Sequence, residues 1–301
     1  MDDGIKILDG DNLTLKSNIA SETVKGYRVR SFYKDSEDRL WICTYSGLFC
    51  YDKQDGISSF RMQSHNITSE RFRCITQLSD GTIAAGTADG INFIKNGKVT
   101  ATFDTEDGLA NTQILSIVEG IDGTVWAGSD GSGIYVISEG KLIKNYTVED
   151  GLSSNIILRI VPHGDGYFIV TSNALCHVDM DGTIRRLESF PYFNNYDVII
   201  NGETAYVTCS AGLYEVQLSK LCEDNYEQLR YYGAGTGLFS GLTANSWNYI
   251  SEDGSLYLCS NSGVIVYNNR VENTAADMKY GIVSFECDGK EIKSQDGKNF
   301  V

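Results

Sequence analysis

The sequence predicts an all-β fold, a β-propeller of four-stranded antiparallel blades, from three observations. The 301 residues include 31 glycines and 18 tyrosines but only 2 prolines, which suits short strands and tight turns better than helices. No window has the period of a long amphipathic helix, and no apolar run of about eighteen residues could span a bilayer. A glycine followed by an apolar strand recurs at Gly4, Gly47, Gly90 and Gly133 with a constant step of 43 residues. The same phrase then recurs with drift at Ala174, Gly212 and Gly263.

Each step repeats internally. In the third, "TQILSIVEG" reads as a strand, "IDGT" as a hairpin turn and "VWAGS" as a second strand. "GIYVIS" and "LIKNYTV" follow as the third and fourth. Four strands in about forty residues is the signature of a propeller blade. Seven anchors, six glycines and Ala174, predict seven blades in the intact parent, with the first blade truncated to "GIKILD" and "NLTL". The propeller is expected over residues 1–270, with five units carrying all four strands and the last ending after three. Closing that last blade with residues 12–16 would reduce the count to six. The opening inside a strand-like phrase suggests a segment of a longer protein.

Columns across the units carry the packing argument. A hydroxyl precedes each turn at Thr44, Thr87, Ser129, Thr171, Ser210 and Ser260, where it is expected to satisfy backbone groups that the turn leaves unpaired. One residue earlier stand Cys43, Gly86, Gly128, Val170, Cys209 and Cys259, a small-residue column expected where sheets pack tightly. Two residues before that, Trp41, Ala84, Trp126, Phe168, Val207 and Tyr257 are expected between neighbouring blades.

The phrase "DGLxxN…DG(T/S)xWxG(T/S)xxG(I/L)", clearest in "EDGLANTQILSIVEGIDGTVWAGSDGSGI" and weaker in "DSEDRLWICTYSGL", resembles the two-component regulator propeller repeat. Residues 277–301, containing "KYGIVSFECDGKEIKSQDGKNFV", resemble the beginning of the immunoglobulin-like β domain that follows such propellers. "FPYFNNYDVII" and "GLTANSWNYISEDGSLYLCSNSGV" look like sensor propellers joined to diguanylate cyclases in Gram-positive anaerobes. Related propellers precede histidine kinases. The resemblance implies a non-catalytic, extracytoplasmic ligand-sensing propeller of a bacterial membrane receptor, upstream of a diguanylate cyclase or histidine kinase. Its membrane anchor would be a transmembrane helix outside this segment. The pattern departs at Ala174, at "NGETAYV" and in the expanded "GTGLFSGLTAN".

Net charge and motifs narrow the alternatives. A charge of −15 repels phosphate backbones, so nucleic acid is not an expected partner. His65, His163 and His177 fall in different units without metal-ligand spacing, so no metal and no cofactor is expected. Most carboxylates sit in Asp-Gly turns, which argues for turn formation over paired acid–base catalysis. A polysaccharide-acting lyase or glycosidase and a protein-binding scaffold remain the rival readings. Eight cysteines without a Cys-x-x-Cys are expected as buried free thiols. Composition alone would favour a reducing compartment; the resemblance favours an extracytoplasmic one, where an anaerobic surface relaxes oxidation.

The repeated "EDGL" phrase and the turn between second and third strands should surround one mouth of the central channel. Candidate ligand contacts there are Asn111 and Asn155 in the phrase, Tyr45, Asp89, Asp130 and Asn173 in the turns, and Asn245 and Trp247 in the variant unit. Because the phrase repeats with the fold, its glycine, leucine and asparagine read as structural. Residues that differ between copies, Tyr45, Asp89 and Asp130, are the better specificity candidates. A small molecule or oligosaccharide is the expected ligand, and a homodimer through the parent receptor is left open.

Overall fold

The computed structural model describes residues 5–9, 14–19, 24, 26–164, 166–191, 194–226, 229–244 and 246–268, together with the backbone of 284–287 and 290–293. The chain divides into two units, Met1–Val266 and Tyr267–Val301.

The first unit opens with an antiparallel hairpin of β1 (Ile5–Leu8) and β2 (Leu15–Ile19). Blade 1 contains β3 (Val29–Lys34), β4 (Leu40–Thr44), β5 (Gly47–Asp52) and β6 (Gly56–Phe60). A single helical turn, α1 (Met62–His65), leads to blade 2, made of β7 (Phe72–Gln77), β8 (Ile83–Thr87), β9 (Ile91–Lys95) and β10 (Lys98–Phe103). Blade 3 is β11 (Ile114–Glu119), β12 (Val125–Ser129), β13 (Ile134–Ser138) and β14 (Lys141–Tyr146). Blade 4 is β15 (Ile157–His163), β16 (Gly166–Thr171), β17 (Leu175–Asp179) and β18 (Ile184–Arg186). Blade 5 is β19 (Asn195–Asn201), β20 (Thr204–Cys209), β21 (Leu213–Gln217) and β22 (Arg230–Tyr232), with the short helix α2 (Leu218–Cys222) before its last strand. Blade 6 has three strands, β23 (Tyr249–Ile250), β24 (Leu256–Ser260) and β25 (Gly263–Tyr267).

The chain is therefore an all-β propeller with six blade sheets among the described residues, five of four strands and one of three. Seven blades were expected of the intact parent, and this count is corrected here to six. The hairpin of β1 and β2 is a separate two-stranded sheet where the truncated blade was expected. Ile5 of that hairpin packs on Ile42 and Phe49 of blade 1.

Burial follows radial position. β8 and β12 are buried at every residue, as strands covered on both faces require, whereas the outermost β10 and β14 are largely exposed. Apolar clusters lie between successive sheets. One joins Trp41 and Leu48 of blade 1 to Phe72 and Ile83 of blade 2; another joins Phe168 of blade 4 to Val198 and Tyr214 of blade 5. Trp126 of blade 3 stacks on Tyr167 of blade 4 at 4.0 Å between ring centroids, so this aromatic does wedge between blades.

The small-residue column has a direct steric reason. A Cβ on Gly128 would stand 2.6 Å from Ile157 Cγ2 of the next blade, and one on Gly86 would stand 2.7 Å from Ile114 Cγ2. In blade 5 the alignment of the columns is corrected by one residue. Strand pairing sets Asn195 opposite Cys209 and Asp197 opposite Thr208, as Ile157 faces Thr171 and Arg159 faces Val170 in blade 4. Cys209, not Ser210, holds the turn position, and its N–H donates to Gly212 O as Thr87 N–H does to Gly90 O. The hydroxyl role is met elsewhere: Thr44, Thr87, Ser129, Thr171 and Ser260 each donate to the carbonyl of the turn's last residue at 2.8–2.9 Å.

The described part of the second unit is a hairpin of β26 (Ser284–Cys287) and β27 (Lys290–Lys293). Most of the expected immunoglobulin-like segment 277–301 lies outside the described residues.

Candidate functional site

The two loop sets meet at one mouth of the channel. The N–H groups of Gly131 and Gly133, in the turn between β12 and β13, both donate to Asn155 O in the "EDGL" connection of the next blade. That connection is a capped turn. Asp150 accepts from Thr147 N–H at 2.9 Å, Gly151 has φ +114°, and Leu152 is buried between blades 3 and 4. Asp107, Gly108 and Leu109 repeat the arrangement one blade earlier.

Hydrogen bonds from the turns place equivalent side chains around the mouth. The turn N–H groups of Tyr45, Ala88, Asp130, Ser172 and Ser210 donate to the carbonyls of Arg28, Arg71, Gln113, Ile156 and Asn194. Two residues further on, each inner strand has a register shift that leaves one residue unpaired: Arg30, Arg73, Leu115, Leu158 and Tyr196. The positions are shared by all five blades, but blades 1 and 2 fill both of them with arginine.

Four guanidinium groups consequently surround one ring. The Cζ atoms of Arg28, Arg30, Arg71 and Arg73 lie 5.5, 5.3, 5.3 and 5.7 Å from the centroid of Tyr45. Among the described residues none of the four is in an ion pair, whereas Arg39, Arg61, Arg159, Arg185 and Arg230 each pair with a carboxylate. The Nε atoms of Arg30 and Arg73 are buried without a hydrogen-bond partner. Burial, followed by the neighbouring charges of Arg28, Arg73 and Arg159, holds Arg30 below its ordinary arginine value, and Tyr45 opposes the shift. Two such charges about 10 Å apart repel by about 0.4 kcal/mol in water and about 1.7 kcal/mol at an effective dielectric of 20.

On the opposite side of the mouth Arg159 is the one charged residue lining the cavity there. A cavity of about 250 Å³ is lined there by Leu158, Arg159, Ser172, Asn194, Asn195 and Tyr196. Asn195 is 1% exposed and neither its Oδ1 nor its Nδ2 has a partner. It stands where blades 1 to 4 place Val29, Phe72, Ile114 and Ile157. Its neighbour in the sheet, Thr208, also has an unsatisfied buried hydroxyl.

Below this mouth the connection into blade 6 crosses the channel. Trp247 packs against the core shared by blades 2 and 3 and lies under the Arg159 guanidinium, 4.1 Å from Cζ to ring centroid. Arg159 also donates to Ser246 O at 2.5 Å and faces Asp197 with Nε to Oδ1 at 3.7 Å, an ion pair without a hydrogen bond. Burial raises Asp197 above the usual carboxylate range, and Arg159 and Asn248 partly oppose that.

The sequence candidates separate within this frame. Tyr45 is the platform of the arginine cluster. Asp130 accepts from Gln113 Nε2, and Asn111 Nδ2 donates to Asp130 O at 2.8 Å, so these two belong to one loop network. Asn155 Oδ1 accepts from Val148 N–H at 2.9 Å, and Asn173 Nδ2 donates to Ser153 O at 3.0 Å; both tie loops together. Asp89 is exposed at its turn, Trp247 lies in the channel, and Asn245 is outside the described residues. The four arginines were not singled out from the sequence. Their signal was "YRVR" and "ERFR", two Arg-x-Arg pairs one 43-residue step apart.

The expectation that the histidines are scattered is corrected. His163 and His177 share blade 4 with Nε2 atoms 2.9 Å apart, and Cys222 Sγ of α2 completes a group of ligand atoms within 4.8 Å. The Arg185 guanidinium is 3.2 Å from His177 Nδ1, and Asp179, which pairs with Arg185, places Oδ1 2.9 Å from the same nitrogen. Cys43, Cys50, Cys74, Cys176, Cys209 and Cys259 are free thiols; burial pushes Cys43 up to about 12 and Cys50 up to about 11, so neither is a nucleophile.

Comparison with known proteins agrees with this architecture. Residues 23–46, spanning the start of blade 1, match the two component regulator propeller family, so the chain carries a repeat of that family. The match falls on blade 1 and not on the unit whose phrase reads most clearly. The extracellular domain of a protein described as a hybrid two component system from B. thetaiotaomicron superposes with a TM-score of 0.74 at 18% identity, over 97% of this chain and 41% of that one. A second extracellular domain from the same organism, described as a one component system, gives 0.66 at 16% identity, over 93% and 38%. The chain thus spans about two fifths of those structures. A virginiamycin B lyase from Staphylococcus aureus gives 0.64 at 14% identity, over 83% and 87%. A search among curated proteins found no match. No helix among the described residues is long and apolar enough to cross a membrane.

Proposed function

We propose that this propeller is the ligand-sensing part of a bacterial membrane signalling receptor and binds its ligand at the channel mouth. The observation that carries the reading is the convergence there of an unneutralised arginine cluster, a 250 Å³ cavity and a buried, unpartnered Asn195. Polar groups left unsatisfied in a concave site are groups a ligand can satisfy. The family match and the fold shared with extracellular domains of signalling systems support the sensing role. Ligand binding would shift the population of receptor geometries and so the output of a diguanylate cyclase or histidine kinase domain elsewhere in the receptor.

The lyase likeness keeps an enzyme reading in view. The geometry argues against it, because among the described residues the carboxylate buried below the mouth, Asp197, already faces Arg159, and the residues lining the cavity include no carboxylate or histidine. The test is a binding screen of the receptor ectodomain against carbohydrate and peptide fragments, with receptor output and fragment breakdown both recorded. Binding and a change of output without breakdown are expected. Breakdown of the bound fragment, or an active receptor with no ligand-dependent output, would reject the proposal.

A further inference from the structure

We propose that the ligand of this mouth carries an oxyanion, a carboxylate, sulfate or phosphate group, held between Arg28, Arg30, Arg71 and Arg73 over the ring of Tyr45. The inference rests on the mouth being the ligand site and names the chemistry of what enters it. In a chain with 40 acidic and 25 basic residues, a cation without an acidic partner is the exception. Of the ten described arginines only five lack an ion pair, and four of those five surround Tyr45.

Self-repulsion disfavours such a cluster in the empty protein, and nothing in the fold demands it. The equivalent positions hold Gln113 and Leu115 in blade 3, Ile156 and Leu158 in blade 4, and Asn194 and Tyr196 in blade 5. Blades with the same backbone therefore manage without arginine. The buried Nε atoms of Arg30 and Arg73 are oriented donors with no acceptor, and the planar guanidinium fork fits a planar or tetrahedral oxyanion with two parallel hydrogen bonds. Two forks from adjacent blades and two from the rim could share one such group. Arg159, close enough to depress Arg30, extends the positive field toward the 250 Å³ cavity, which would take the uncharged remainder of the ligand.

The test is a calorimetric and thermal-shift titration of the whole chain with sodium sulfate, phosphate or citrate, against chloride at matched ionic strength. Saturable stabilisation by at least one of the three is expected, and their order tells a carboxylate from a sulfate or phosphate preference. Arg30→Gln or Arg73→Gln should weaken it about tenfold, and the double substitution about a hundredfold. Arg186→Gln, at an exposed arginine without an ion pair outside the mouth, should leave it unchanged. Without anion the double variant should differ little in stability from wild type, since the repulsion it loses offsets two lost contacts with the Tyr45 ring; the Arg30→Lys/Arg73→Lys pair gives a second reading by keeping charge and losing the fork.

No effect beyond chloride in wild type, or an equal effect in the double Gln variant, overturns the inference. The wider reading fails separately. If an uncharged oligosaccharide binds wild type and not Tyr45→Ala, the mouth stands as the site and only the anionic class falls. If Tyr45→Ala changes no ligand response at all, the mouth itself is not the site.

Discussion

Replacing Arg159 by Met tests how the channel is held shut beneath the mouth. The substitution keeps much of the side chain's apolar volume and removes four interactions: the stack on Trp247, the bonds to Ser246 O and Leu158 O, and the charge facing Asp197. The stack is worth about 0.5–2 kcal/mol and a charged hydrogen bond about 1.5–3 kcal/mol. Stranding a buried carboxylate raises the total cost to about 3–5 kcal/mol near neutral pH. For a domain of this size that is a fall in Tm of about 6–20 °C. Asp197 is already raised by burial, so its neutral form is the one the fold prefers, and stability tied to it is present at acid pH and lost as pH rises through its folded value. Without Arg159 the upward shift grows, and the deficit should be larger at pH 7.5 than at pH 5.0. Urea unfolding of the variant at both values is the assay, with Asp197→Asn added to the variant to recover the part of the loss that the stranded carboxylate causes and to remove its pH dependence. A deficit below about 0.5 kcal/mol at pH 7.5, or one independent of pH, would refute the reasoning.

Other outcomes follow from the same geometry. Gly128→Ala should cost about 1–3 kcal/mol, read as a fall in urea midpoint, because its Cβ would press on Ile157 of the next blade. Asn155→Ala should lose about 0.5–1.5 kcal/mol through its bond to Val148 N–H while the anion titration stays as in wild type. Asp35 is buried, which alone would raise it, but bonds from Trp41 Nε1 at 2.7 Å and Arg39 Nε at 2.8 Å hold it below the usual carboxylate range. Its contribution is therefore present above about pH 4 and lost as pH falls through its lowered folded value, so Asp35→Asn should flatten the acid limb of the stability curve. Alkylation of Cys43 at pH 8 should proceed only as fast as the protein opens, since burial suppresses the thiolate.

The fold was legible because the blade is repeated. A glycine step of 43 residues is a statement about register that one strand could never make, and hydroxyls such as Thr87 and Ser129 marked the turn in five copies. The alignment slipped in blade 5 because the hydroxyl was followed by residue type. Counting three residues back from Gly212 reaches Cys209, the spacing that separates Thr44 from Gly47 and Thr87 from Gly90. The blade count depended on segments that pair only in space, and the sequence does not say which edge β2 will join.

The site was legible in outline only. Tyr45 stood out as a residue that varies between copies, but its partners Arg28, Arg30, Arg71 and Arg73 were hidden as ordinary strand flanks. Two arginines separated by 43 residues become neighbours only once adjacent inner strands are placed side by side. His163 and His177 were missed for the same reason, since they meet across one sheet after a hairpin. Asn111 and Asn155 went the other way: their side chains are occupied by loop hydrogen bonds, as repetition with the fold implied.

The most direct measurement is the ligand dose–response of the whole receptor with and without Tyr45→Ala at the channel mouth. Removing the ring that the four guanidinium groups surround should shift the response at least about tenfold toward higher ligand concentration while leaving the maximal output intact. An unshifted response, with the variant folded and expressed as wild type, would contradict the assignment of this mouth as the sensing site.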